Sequence, residues 1–136
     1  MNITTKGRYA LQVMLDLSQQ PAGEYVSLKA VADRQEISVK YLEAIVSILA
    51  KAGLVESTRG KMGGYRLTRA PEGYTVGTVL KLVEGTLAPV SCRQEDGCPK
   101  HGQCLSLPLW EKLDELVDGF LESVTLADVL AGHIPG

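Results

Sequence analysis

Apolar residues recur with helical spacing through the first part of the chain. Ala10, Val13, Met14 and Leu17 follow i, i+3, i+4, i+7, the stripe of an amphipathic helix. Thr4 and Thr5 can cap its start, and Pro21 and Gly23 end it. Ser27 predicts the cap of a short helix that turns Leu28, Val31 and Ala32 inward. Gln35-Glu36-Ile37 makes a turn, and Ser38 caps the next helix, where Leu42, Ile45, Val46 and Leu49 repeat the stripe. Gly53 stands where glycine usually closes a helix.

The period then changes. Leu54-Val55-Glu56-Ser57 and Tyr65-Arg66-Leu67 predict two short strands. The segment between them, Thr58-Arg59-Gly60-Lys61-Met62-Gly63-Gly64, is glycine-rich and basic and suits a hairpin tip. Val76, Val79, Leu80 and Val83 fall on one face of a further helix. From Glu84 to Leu107, Gly85, Pro89, Gly97, Pro99 and Gly102 break regular structure. Pro108 fits the first turn of a long helix reaching about Val124. In it Leu109, Leu113, Leu116 and Phe120 step by 4, 3, 4, a coiled-coil-like seam, while Glu111, Asp114, Glu115, Asp118 and Glu122 occupy the opposite side. Thr125 fits the cap of a last short helix, Leu126 to Ala131. No internal repeat or low-complexity tract interrupts the pattern.

These elements predict a mainly α fold with a small β-hairpin wing: a winged helix-turn-helix followed by a long C-terminal helix. The expected division is a DNA-binding unit over 1–84, a cysteine-containing loop over 85–107, and a dimerisation helix with its tail over 108–136. At 136 residues the chain is long enough for one modest domain with an arm or small second lobe. Hydrophobic content is 45% and aromatic content 5%, so the core must be aliphatic. No apolar run approaches the roughly 20 residues that span a bilayer. The opening MNITTKGRYA lacks the apolar stretch of a signal peptide, and the expected location is cytoplasmic.

The formal net charge of −2 argues at first against nucleic acid. Its distribution reverses that reading. Residues 1–70 hold ten Lys or Arg against six Asp or Glu, a net +4, while residues 71–136 hold four against ten, a net −6. An excess of positive charge in one half points to nucleic-acid contact by that half.

The second helix of a helix-turn-helix enters the major groove with its N-terminal residues facing base edges. Here those are Ser38, Val39, Lys40, Tyr41 and Glu43. Ser38 can cap the helix and aim backbone N–H groups at a phosphate. Lys40 can reach phosphate or guanine, and the Tyr41 hydroxyl phosphate or base. Glu43 is repelled by phosphate but can accept from cytosine N4, which would make it a discriminator. Each of these charges could equally be an ordinary solvated one. Arg59, beside Gly60 at the hairpin tip, has little core to join and suits a narrow minor groove. Lys61, Arg66 and Arg69 fit phosphate contacts or none.

The three cysteines of the chain, Cys92, Cys98 and Cys104, are spaced C-x5-C-x5-C. Disulfides rarely persist in the cytoplasm, so an odd cluster of thiols reads as metal-binding or redox-reactive. An iron–sulphur cluster wants four ligands, mostly thiolates, and tolerates histidine. His101 is a candidate fourth ligand, with Glu95, Asp96 or a residue from elsewhere as weaker ones. Zinc could take Cys92, Cys98, His101 and Cys104, although five-residue gaps are wider than its usual knuckle. Reduced, unliganded thiols are the plain alternative. No nucleophile–base pair is present and the only other histidine is His133, so catalysis is not expected. The rival functional class is a small metalloprotein or electron carrier that does not bind DNA.

TTKGRYALQVMLDLS, SVKYLEAIVSILAKAGLVESTRGKMGGYRL, the three-cysteine loop and the LW-containing helix together resemble the IscR, NsrR and CymR group of bacterial regulators, over about residues 1–131. The likeness is greatest to its iron–sulphur branch. The resemblance implies a homodimeric winged-helix repressor or activator of a double-stranded DNA operator, dimerising through the helix here at Pro108 to Val124. It also implies a 2Fe–2S or 4Fe–4S cluster on Cys92, Cys98 and Cys104, with 2Fe–2S the expected form and zinc the alternative. No membrane or small-molecule substrate is implied. The iron–sulphur branch places a histidine ligand three residues after the last cysteine, and here that position is Leu107.

Overall fold

A computed structural model describes residues 3–58, 63–85 and 105–134. The Arg59, Gly60 and Lys61 of the wing tip, and Cys92, Cys98, His101 and Cys104, lie outside the described residues.

Three helices open the chain: α1 Thr5–Ser18, α2 Leu28–Gln35 and α3 Val39–Lys51. Each begins on the hydroxyl residue that local chemistry selects. Thr4 accepts from the Gly7 N–H, Ser27 from Ala30 and Ser38 from Tyr41, filling donors that a helix start leaves open. Glu36 closes α2 with φ 54°, the one non-glycine residue in the left-handed region among the described residues. That conformation swings the chain from α2 into α3 and makes the tight turn of the helix-turn-helix.

The hairpin follows, β1 Val55–Thr58 paired antiparallel with β2 Gly64–Leu67, in the register Val55 to Leu67 and Thr58 to Gly64. β1 lies one residue later than the expected run at both ends, and β2 starts one residue earlier and ends where expected. Val26 adds an isolated bridge to β2, its N–H and C=O both bonding Tyr65 at 2.8 Å. A Cβ on Gly64 would collide with the Val26 carbonyl group, so glycine there permits that approach.

A 3-10 turn at Pro71–Gly73 leads to α4, Val76–Glu84, capped by Thr75. Then come α5, Leu107–Ser123, and α6, Leu126–Ala131, whose Thr125 and Asp128 form a reciprocal capping box. The long helix thus starts one residue before the expected Pro108 and stops one short of Val124. Ala10, Val13, Met14, Val31, Leu42, Ile45, Val46, Leu49, Val79 and Leu126 form one aliphatic core. Leu126 belongs to that core, so the C-terminal end of the chain returns to the first helices. The Val124 carbonyl accepts from the Val76 N–H at 2.8 Å, and the Leu126 N–H donates to the Tyr74 carbonyl at 3.1 Å, which pins that return.

Tyr74 is a core residue that the pattern reading passed over. It is fully buried, and its hydroxyl donates to the Leu54 carbonyl at 2.7 Å while accepting from the Thr68 and Arg69 N–H groups at 2.9 and 3.1 Å. One side chain therefore ties the end of β2 to the start of β1. An isolated Tyr between turn residues carries no periodic signal, and only the folded chain reveals its partners.

Candidate nucleic-acid interface and cysteine segment

Ser38, Lys40, Tyr41 and Glu43 are brought together on the first turns of α3, opposite the buried Leu42, Ile45, Val46 and Leu49. Ser38, Lys40 and Glu43 are exposed. The Ser38 hydroxyl is committed to its own helix through the Tyr41 N–H at 3.1 Å. Tyr41 is half-buried, and its ring meets Tyr9 of α1 edge to face, centroids 5.9 Å apart and planes at 82°. That geometry favours an aromatic pair and leaves Tyr41 only partly free for a ligand.

The four-residue strands aim the wing, and their bases are braced. Arg66, a residue that fits phosphate from sequence, donates to Glu56 at 2.6 Å and to the Gly23 carbonyl at 2.8 Å, and lies over the Tyr25 ring at 4.4 Å. Arg69 donates to the Gly73 carbonyl and stacks on Tyr74 at 5.0 Å. Both guanidiniums are engaged by partners within the chain at its surface. The pairing with Glu56 raises the Arg66 pKa above its ordinary value.

The long helix α5 contributes no fully buried residue. Leu109, Leu113, Leu116 and Phe120 are 61%, 37%, 57% and 44% exposed, a continuous apolar seam along the outer side of the helix. The side that docks on the domain is the acidic one. Lys81 of α4 pairs with Asp118 and with Glu122, the latter at 3.1 Å, and Thr75 donates to Glu122 at 3.2 Å. Hydrogen bonding to Asp118 is the main cause raising the Lys81 pKa. Gly77 lets the two helices approach, because a Cβ there would strike Glu122. Val117 and Leu121 complete the contact as half-buried residues.

Leu107, the first residue of α5, is half-buried and has no donor atom for a metal. Among the described residues no group of three or more His, Cys, Asp or Glu is placed to hold a metal ion. The candidate donors are Cys92, Cys98, His101 and Cys104, all within the segment outside the described residues. Also among the described residues, no helix is long and apolar enough to cross a membrane.

Residues 3–132 match the family model described as Rrf2, iron-dependent transcriptional regulator. The chain is 38% identical over 133 residues to the HTH-type transcriptional regulator IscR of Aliivibrio salmonicida, covering 98% of this chain and 79% of that protein. Its fold superposes on CymR, the global cysteine regulator of B. subtilis, with a TM-score of 0.80 and 37% identity, over 97% of this chain and 98% of that one. It superposes on T. potens IscR with a TM-score of 0.75 and 39% identity, over 97% and 88% of the two chains.

Proposed function

The chain belongs to the Rrf2 family and is a DNA-binding transcriptional regulator; we propose that an iron–sulphur cluster on Cys92, Cys98 and Cys104 modulates its operator binding. Three thiols with equal spacing carry this reading, because three thiolates plus one further donor satisfy a cluster's four ligand positions. The donor set fits the group. His101 lies among the thiols and is the proposed fourth ligand in place of the histidine that Leu107 lacks. When bound, the cluster supplies redox and oxygen sensitivity, and 2Fe–2S is the proposed form. A cytoplasmic, reducing setting keeps the thiols available.

Two copies of the chain form the reading unit, joined along the exposed Leu109, Leu113, Leu116 and Phe120 seam. An exposed row of large apolar side chains, on a helix held to the domain by ion pairs and by Leu121 on its other side, is the feature that supports this assembly. Two-fold symmetry then calls for an approximately palindromic operator with recognition helices about 34 Å apart. Ser38, Lys40, Tyr41 and Glu43 read the major groove, and Arg59, Gly60 and Lys61 of the wing reach the adjacent minor groove and backbone.

Leu107, in the place of a histidine ligand, favours a second reading, a regulator whose thiols respond to redox state or hold zinc without a cluster. Anaerobic purification followed by an absorption spectrum decides between them. Visible charge-transfer bands lost on replacing any one cysteine are expected for the cluster. A colourless protein that takes up no iron and sulphide on anaerobic reconstitution selects the second reading.

A further inference from the structure

The end of α4 and the beginning of α1 are joined by one carboxylate. Glu84, the last residue of α4, accepts from the Thr4 N–H at 3.0 Å and from the Thr4 hydroxyl at 2.7 Å through the same Oε1. Thr4 is the N-cap of α1 and itself accepts from the Gly7 N–H at 3.3 Å. The three groups form a chain of donors and acceptors, Gly7 to Thr4 to Glu84, in which each bond polarises the next. The negative charge also sits at the helix end where a negative charge is favoured. The Glu84 side chain lies directly over Gly7, so closely that a Cβ at position 7 would overlap its carboxylate. Only glycine at 7 leaves room for the contact.

Two residues beyond Gly7 stands Tyr9, whose ring packs edge to face on Tyr41 of the recognition helix. A helix that loses its cap frays through its first turn. Fraying of α1 up to Arg8 would release the side chain that flanks Tyr41 on the DNA-facing end of α3. On the other side, Glu84 is followed by Gly85, with φ 83°, which caps α4 through the Lys81 carbonyl. The cysteine-bearing segment begins there.

We propose that Glu84 is a positioning residue for DNA reading: by bracing the Thr4 cap of α1 it holds Tyr9 against Tyr41.

The test uses the full chain and an operator fragment selected from random duplex DNA by the unmodified protein. Anisotropy gives the affinity of metal-free protein for that fragment and for unselected DNA. Glu84→Ala is expected to weaken selected-site binding about 3- to 30-fold, the span of coupling carried by residues that touch no ligand, with unselected DNA bound as before. Glu84→Gln keeps an acceptor oxygen for Thr4 and is expected to restore most of the selectivity. Gly7→Ala should act like Glu84→Ala by expelling the carboxylate. In the Glu84→Ala background the same Gly7 change should add little, because the space is already vacated.

Unmodified selectivity in Glu84→Ala overturns the proposal. So does an equal loss on selected and unselected DNA accompanied by a fall in thermal midpoint, which marks general destabilisation.

Discussion

Asp16 of α1 and Arg34 of α2 meet through two bonds, 2.7 Å to Oδ1 and 3.0 Å to Oδ2, with the carboxylate side chain 3% exposed and the guanidinium 43% exposed. Gln35 adds a third bond to Oδ2 at 2.9 Å. A buried carboxylate is tolerable only with such partners. Gln35 and Arg34 directly precede Glu36, so the pair fixes the end of α2 from which the helix-turn-helix bends.

Burial pushes the Asp16 carboxyl up, but hydrogen bonds from Arg34 and Gln35 and the Arg34 charge outweigh it and hold the group below the ordinary carboxylate value. A folded pKa below the unfolded one stabilises the fold above about pH 4 and is lost as the pH falls through the folded value. Asp16→Asn should therefore lower stability by about 1–3 kcal/mol at neutral pH, and less at about pH 3. Arg34 can still reach solvent, which keeps the loss below that of a fully buried pair. Urea unfolding at both pH values checks this, and a loss of equal size at both would contradict the assignment.

Tyr74→Phe should destabilise by about 1–3 kcal/mol, since it removes one acceptor from two N–H groups and one donor from the Leu54 carbonyl without changing the ring. Because those groups join the two strands of the wing, amide exchange at Thr68 and Arg69 should accelerate more than in α1. Uniform acceleration across the domain would assign Tyr74 to core packing alone.

The exposed seam of α5 predicts a dimer at micromolar concentration by light scattering. Leu113→Asp with Leu116→Asp should yield monomers that retain helical circular dichroism, because α5 stays attached to α4 through Lys81, Asp118 and Glu122. Operator affinity should then fall sharply, as two half-sites are no longer bound together. A monomeric unmodified protein would refute the assembly.

Glu43→Ala should broaden sequence tolerance more than it weakens binding. The carboxylate is exposed on the first turns of α3, the proposed groove-reading turns, where phosphates would repel it unless a donor such as cytosine N4 compensates. Arg59→Ala should cost about 1–3 kcal/mol on the selected site. Selection from random DNA with each variant reads both effects. Identical preferences for the Glu43 variant would remove it from base reading.

Much of the architecture is local and so was legible in the chain. Thr4, Ser27, Ser38 and Thr125 each cap the helix that follows, and the apolar stripes of α1 and α3 face the core as their spacing requires. These depend on backbone donors and on a 3.6-residue period, both properties of a short stretch of sequence. The candidate recognition turn at 38–43 follows from the same logic.

The roles of single charges were not legible. Arg66 and Arg69 have the composition of phosphate contacts, yet Glu56, the Gly23 carbonyl, Tyr25 and Tyr74 engage them, and the Gly23 carbonyl and Tyr25 come from a distant part of the chain. For α5, periodicity separates an apolar from an acidic side but cannot say which one docks. Lys81 and the gap at Gly77 draw in the acidic side and leave the leucines outside. The sequence by itself determined the helices and the hairpin, because each rests on residues close together in the chain, and the family, because its motifs stand in the chain itself. Only the tertiary structure decided which cations are free, which face of α5 stays open and that Glu84 reaches Thr4, because each of these depends on a partner brought near by folding.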